Sequence, residues 1–143
     1  MNNFDLLGKH ISEIDDVLDS WVERTFAMNY NYFAVLYSLA GAENGQCTQK
    51  QIGDEWYMPK QTVFNICKEF REKGWIEFYP SPTDKRERIM CLTESGKQQA
   101  EPIYRTTIDA VDRAFKVFGK QKTAQLFALM AEFSAVCREE MNK

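Results

Sequence analysis

Apolar residues recur along most of this chain at helical spacing. Leu7, Ile11, Ile14, Leu18 and Trp21 fall four and three residues apart, which predicts a long helix over 5–26 with one narrow apolar stripe. Asp15, Asp16, Asp19 and Glu23 take much of its remaining surface. A stripe so narrow suits packing against another helix, including one from a second chain. A second helix is expected over 30–41, carrying Phe33, Leu36, Tyr37 and Leu39. It is apolar on several sides and so belongs in a core. Gly41 and the Glu43-Asn44-Gly45 stretch end it.

Thr48 opens a short third helix, and Gln51 three positions on completes a capping-box pattern. Ile52 and Trp56 supply its inner face. Tyr57-Met58 reads as a tight turn, with Pro59 at the first position of the next helix. That helix runs to Lys73, and Gly74 stops it. Val63, Ile66, Cys67 and Phe70 stand at i, i+3, i+4 and i+7 on its core side. Trp75 to Tyr79 is rich in strand-forming residues, Pro80-Ser81-Pro82-Thr83-Asp84 is turn chemistry, and Glu87 to Leu92 reads as a returning strand. Thr93 caps a long helix over 94–118, Gly119 interrupts, and a last helix over 120–141 carries Leu126, Leu129, Met130, Phe133 and Val136. The fold class is therefore mainly α with a small β-hairpin wing: a winged helix-turn-helix flanked by N- and C-terminal helices. We read residues 1–143 as one domain, with the winged lobe over 30–97 and dimerisation helices over 5–26 and 98–141.

Charge changes this picture only when it is mapped. The chain carries 18 basic and 21 acidic residues, a formal net charge of −3 that does not suit a non-specific nucleic-acid binder. Between Lys60 and Lys97, however, eight basic residues face six acidic ones, so the acidic excess lies elsewhere. A DNA reader needs only such a local positive region. The apolar fraction of 44% fits a globular chain, and no run reaches the roughly 18 residues of a membrane span. The first residues lack signal-peptide features, so a cytoplasmic location is expected. Cys47, Cys67, Cys91 and Cys137 are widely spaced and His10 is the only histidine, which gives neither zinc-ligand spacing nor a redox motif. The sequence offers no nucleophile–base pair, phosphate-binding loop or dinucleotide fingerprint, which argues against an enzyme and calls for no cofactor.

In a winged helix-turn-helix the second helix of the pair enters the major groove. Lys60, Gln61, Thr62, Phe64, Asn65 and Lys68 occupy its non-core face. Gln and Asn can pair with adenine, and Lys can reach guanine or phosphate. Thr48 and Gln49 are placed to touch phosphate at the start of the preceding helix. The hairpin tip carries Lys85, Arg86 and Arg88, suited to a narrow minor groove. Asp84 can bond the wing backbone or pair with Arg86.

The stretch from Thr48 to Lys97 resembles the core of the MarR (multiple antibiotic resistance regulator) family. The likeness rests on Thr48-Gln49-x-x-Ile52, Thr62-Val63, Lys73-Gly74-Trp75-Ile76, and above all Asp84-x-Arg86 followed by Leu92-Thr93-x-x-Gly96. The flanks match as a helical pattern. This resemblance implies a homodimeric repressor that binds a pseudo-palindromic operator in double-stranded DNA. Arg86 would be the minor-groove arginine, oriented by Asp84, and Lys60 to Lys68 the recognition helix. It further implies release by a small, often aromatic ligand, for which Trp21, Phe26, Tyr30, Tyr32 and Phe33 are the candidate pocket residues. Two positions depart from the family pattern. Phe64 stands where a small hydroxyl residue is common, and Asn65 where Arg or another polar residue is common. A groove-facing Phe can contact thymine methyls, or it can pack inside the protein.

Dimerisation also follows from the residues themselves, because the stripes on 7–21 and 126–136 exceed what a small winged module can bury. The alternative reading is a winged-helix module that docks proteins and has lost DNA binding.

Overall fold

The computed structural model describes residues 1–143. Side-chain caps set where its helices begin. The Asn2 carboxamide accepts from the Asp5 amide at 2.8 Å and starts α1 (Asn3–Phe26); Asn29 does the same for Tyr32 at 2.9 Å and starts α2 (Tyr30–Gly41). Thr48 opens α3 (Gln49–Trp56) with both halves of the capping box. Its hydroxyl accepts from the Gln51 amide at 3.1 Å, and its own amide donates to the Gln51 side chain at 2.8 Å. Then come α4 (Lys60–Glu72), α5 (Glu94–Phe118) and α6 (Lys120–Met141).

Pro59 is the N-cap of α4 and not its first helical residue as expected. Its ψ of 142° is extended, and its carbonyl accepts the bond from Val63 N at 3.1 Å. The proline ring fixes φ alone, so it suits either position. The sheet also exceeds the expected hairpin. It has three antiparallel strands in the order β1 (Gln46–Thr48), β3 (Arg88–Leu92), β2 (Ile76–Pro80), with Cys47 opposite Met90 and Phe78 opposite Met90 on the other side. Three residues are too few to show a period-2 pattern, which is why β1 escapes a sequence reading.

The chain divides into two compact units, Met1–Tyr104 and Arg105–Lys143. In the first, Val22 of α1 joins Phe33, Ala34, Val35, Leu36 and Leu39 of α2 in a core completed by Ile52, by Val63, Ile66, Cys67 and Phe70 of α4, and by Ile76 and Met90 of the sheet. Trp56 is only half-buried, and its indole N–H donates to Ser38 Oγ at 2.6 Å. In the second unit the rings of Phe115 and Phe127 meet at 5.2 Å, and no residue of α6 is buried.

One close approach explains the Leu92-Thr93-x-x-Gly96 motif. The Thr93 amide donates to the Trp75 carbonyl at 2.9 Å. The Thr93 hydroxyl donates to the Gly74 carbonyl at 2.6 Å and accepts from the Gly96 amide at 3.0 Å. A Cβ at Gly96 would lie 1.9 Å from the Trp75 carbonyl oxygen. The wing exit and the start of α5 are thus clamped together only if residue 96 has no side chain.

Candidate nucleic-acid interface

Helix α4 has two faces of identical spacing. Val63, Ile66, Cys67 and Phe70 are buried. Gln61, Phe64, Asn65 and Lys68 each lie two residues earlier, about 200° around the helix, and all four are exposed. Lys60 is exposed at the helix start, whereas Thr62 is half-buried on the flank. The Gln61 side-chain amide donates to the Asn65 carboxamide oxygen at 2.9 Å, tying these two polar groups to each other.

The wing is held by its own short hydrogen bonds. Asp84 Oδ1 accepts from the Arg86 amide at 2.9 Å, so of the two expected roles Asp84 takes the backbone one. The Ser81 hydroxyl accepts from the amides of Thr83 at 3.3 Å and Asp84 at 3.2 Å, and Glu87 N donates to the Asp84 carbonyl at 3.2 Å. This network spends no charge on Lys85, Arg86 or Arg88, all of which are exposed and outside the ion pairs of the chain.

Between α4, the start of α3 and the wing runs an open groove of about 830 Å³. Six of the sequence-predicted residues meet there: Thr48, Gln49, Lys60, Lys68, Arg86 and Arg88. Gln61, Thr62 and Asn65 lie on the same helix but outside the groove lining, as does Lys85 on the wing tip. The groove adds residues that sequence reasoning left out. Lys50 joins it, although its ammonium is engaged by Asp54 at 2.7 Å. Arg71 joins it with its guanidinium 5.4 Å from the centre of the Phe78 ring. Arg71 follows Lys68 at i+3, a spacing that could have found it. Phe78 could not be found this way, because only the sheet register brings it beside α4. Asp54 and Glu87 are the acidic members of the lining, against six basic ones. A groove of this charge, with hydroxyl and amide groups at a helix start, can hold a phosphate backbone while side chains of α4 face base edges.

The five aromatic residues assigned to a ligand pocket are packed among themselves and against the core. Trp21 meets Phe26 edge-on at 5.3 Å, Phe26 stacks on Phe33 at 5.9 Å, Tyr30 lies 5.4 Å from Phe33, and Tyr32 meets Phe70 at 5.5 Å. Of the five only Tyr30 lines a separate open groove of about 550 Å³, where Asp15, Asp19 and Glu23 also stand. Burial, then Asp19 and Asp15, raise the Tyr30 phenol above its ordinary pKa.

Burial also pushes the Cys47 and Cys67 thiols up to about 12, with smaller contributions from neighbouring thiols and, at Cys47, from Glu55. Both are neutral thiols at physiological pH. No group of three His, Cys, Asp or Glu side chains is arranged to hold a metal ion, and no helix is long and apolar enough to cross a membrane.

Helix pair, wing and basic groove together define a winged helix-turn-helix protein. Comparison with known proteins narrows this further. The MarR family profile matches residues 28–87. A MarR family regulator of known structure from Neisseria meningitidis is 40% identical, with a TM-score of 0.88 and 100% of both chains covered. The HTH-type transcriptional regulator Hpr from Shouchella clausii is 29% identical over 135 residues, which is 90% of this chain. The chain spans 64% of that longer relative's length. The S. aureus MepR–DNA complex shares the fold, at 20% identity and a TM-score of 0.71 over 95% of this chain and 99% of that one. The chain belongs to the MarR family.

Proposed function

We propose that this chain is a homodimeric, sequence-specific DNA-binding regulator, acting in the cytoplasm as a repressor that a small molecule releases. The observation that carries the reading is the groove where Lys60 and Lys68 of α4 face Arg86 and Arg88 of the wing across about 830 Å³. Neither lysine and neither arginine is drawn into an ion pair within the chain. Their charge is therefore available to phosphate. The S. aureus protein MepR, on the same fold, forms a complex with DNA, which supports DNA binding as the function of this fold. Support for the dimer comes from the exposed apolar side chains of α1 and α6, among them Ile11, Ile14, Leu129 and Phe133. A two-fold pair would set two copies of α4 about one DNA turn apart on a pseudo-palindrome. A small aromatic effector would seat beside Tyr30 and shift the spacing of the two recognition helices.

Selection of bound duplexes from a random pool, followed by fluorescence anisotropy at several salt concentrations, tests the reading. A palindromic motif is expected, with affinity that falls steeply as salt rises. Arg86→Ala should weaken binding by about 1–3 kcal/mol. Failure to bind any duplex at low salt would leave the protein-docking alternative in its place.

A further inference from the structure

An amphipathic helix ordinarily presents polar side chains to water, yet α4 presents a phenylalanine in the middle of its outer stripe. Phe64 is 48% exposed. No aromatic ring of the chain packs against it, in contrast to Phe33, Phe70 or Phe26. Its neighbours do not suit an apolar protein partner, because it shares its groove with Lys60, Lys68 and Arg86. The other apolar members of that lining, Met58 and Phe78, are buried and half-buried, so Phe64 is the exposed ring of a cationic groove, which matches a ligand that is polyanionic at its rim and carries an isolated apolar group inside. Duplex DNA has that character in the major groove, where the only apolar group on the base edges is the C5-methyl of thymine or of methylated cytosine.

The adjoining polar groups point to the same step. Because Gln61 donates to Asn65 and both residues are exposed, the tied pair keeps an acceptor on Gln61 and a donor on Asn65 available. One donor and one acceptor complement N7 and the N6 amino group of adenine. Phe64 lies three residues from Gln61 and one from Asn65, on the side of the pair nearer the wing groove. Where the amides meet an adenine, the ring reaches the pyrimidine edge of that pair or its neighbour.

We propose that Phe64 is a specificity-determining residue that reads a pyrimidine C5-methyl group in each operator half-site, beside an adenine read by the Gln61–Asn65 pair. This contact presupposes the DNA-binding function above. The test uses the full-length protein and the duplex recovered by selection. Each thymine of a half-site is replaced in turn by deoxyuridine, which pairs identically and lacks only the methyl group. At one position per half-site the wild-type Kd should rise roughly fourfold, the worth of one buried methyl. Phe64→Ala, at an exposed position, should fold normally by circular dichroism and bind the thymine and deoxyuridine duplexes equally. Phe64→Leu should retain discrimination. In a second arm, cytosine and 5-methylcytosine are compared at the same position opposite guanine. A preference for the methylated base that Phe64→Ala abolishes shows that the methyl, and not thymine as such, is read; no preference limits the contact to thymine and overturns the pyrimidine-wide form. Operator binding that is indifferent to every deoxyuridine, or a deoxyuridine penalty unchanged in Phe64→Ala, overturns the role of Phe64 while leaving DNA binding intact. Absence of duplex binding altogether overturns the function itself.

Discussion

Helices α4 and α6 both carry large apolar residues along their length and use them in opposite ways. Helix α4 has 13 residues and buries four of them inside its own unit. Helix α6 has 22 and buries none, leaving Leu129 64% and Phe133 51% exposed. Helix α1 resembles α6, since Val22 is its one buried residue while Ile11, Ile14 and Val17 are exposed. Periodicity thus announces a face that wants covering but not what covers it. The apolar face of α4 is answered by α2, α3 and the sheet. Those of α1 and α6 stay exposed in the single chain, which is the support for the dimer proposed above.

Four measurements put the contrast between these helices to the test. The largest effect is expected from Ile14→Asp combined with Leu129→Asp. The wild type should sediment at twice the mass of one chain and the variant at the mass of one, with DNA affinity reduced about 10²- to 10⁴-fold because one half-site no longer assists the other. A monomeric wild type would end the contrast between α4 and α6. Next, Phe70→Ala should cost about 3–5 kcal/mol in urea unfolding, as a fully buried ring does. Phe133→Ala should instead give a loss that varies with protein concentration, as the proposed dimer requires. A concentration-independent loss at Phe133 would place its contacts within the chain.

Gly96→Ala is smaller. Its Cβ would meet the Trp75 carbonyl oxygen, so the hairpin and α5 must part, at about 1–3 kcal/mol. An unchanged thermal midpoint would show that the junction yields freely.

The least effect concerns alkaline pH. Cys67 is fully buried and its pKa is pushed up from 9.0 to about 12. Below pH 9 the thiol is protonated in both folded and unfolded chains, and its full contribution is present. Between 9 and 12 the unfolded chain binds fewer protons, so stability falls as pH rises. Urea unfolding should lose about 1 kcal/mol through this thiol between pH 9 and pH 10. Cys67 should also resist alkylation at neutral pH until the protein unfolds, and rapid modification of the native protein would contradict its burial.

The candidate site was only partly legible along the chain. Thr48, Gln49, Lys60 and Lys68 could be assigned because a capping box and a helical period fix their faces. Asp84 and Arg86 were legible as turn chemistry, although which of two bonds Asp84 makes required coordinates. Arg71 and Phe78 were missed, since a residue late in α4 and one in β2 meet only when the hairpin folds back beside the helix. The aromatic residues from Trp21 to Phe33 stood out in sequence for their size, yet four of the five are occupied with one another or the core and outside the groove that Tyr30 lines.

Local sequence was enough for the order of the six helices and the hairpin, because helix caps, turn residues and hydrophobic period act over fewer than ten residues. The family resemblance also marked Gly96 after the Leu92-Thr93 pair, without saying why. The pairing of β1 with β3 and the meeting of Arg71 with Phe78 came only with the tertiary structure. Each of these depends on which distant segment arrives alongside, and that is set by packing of the whole unit and not by any local propensity.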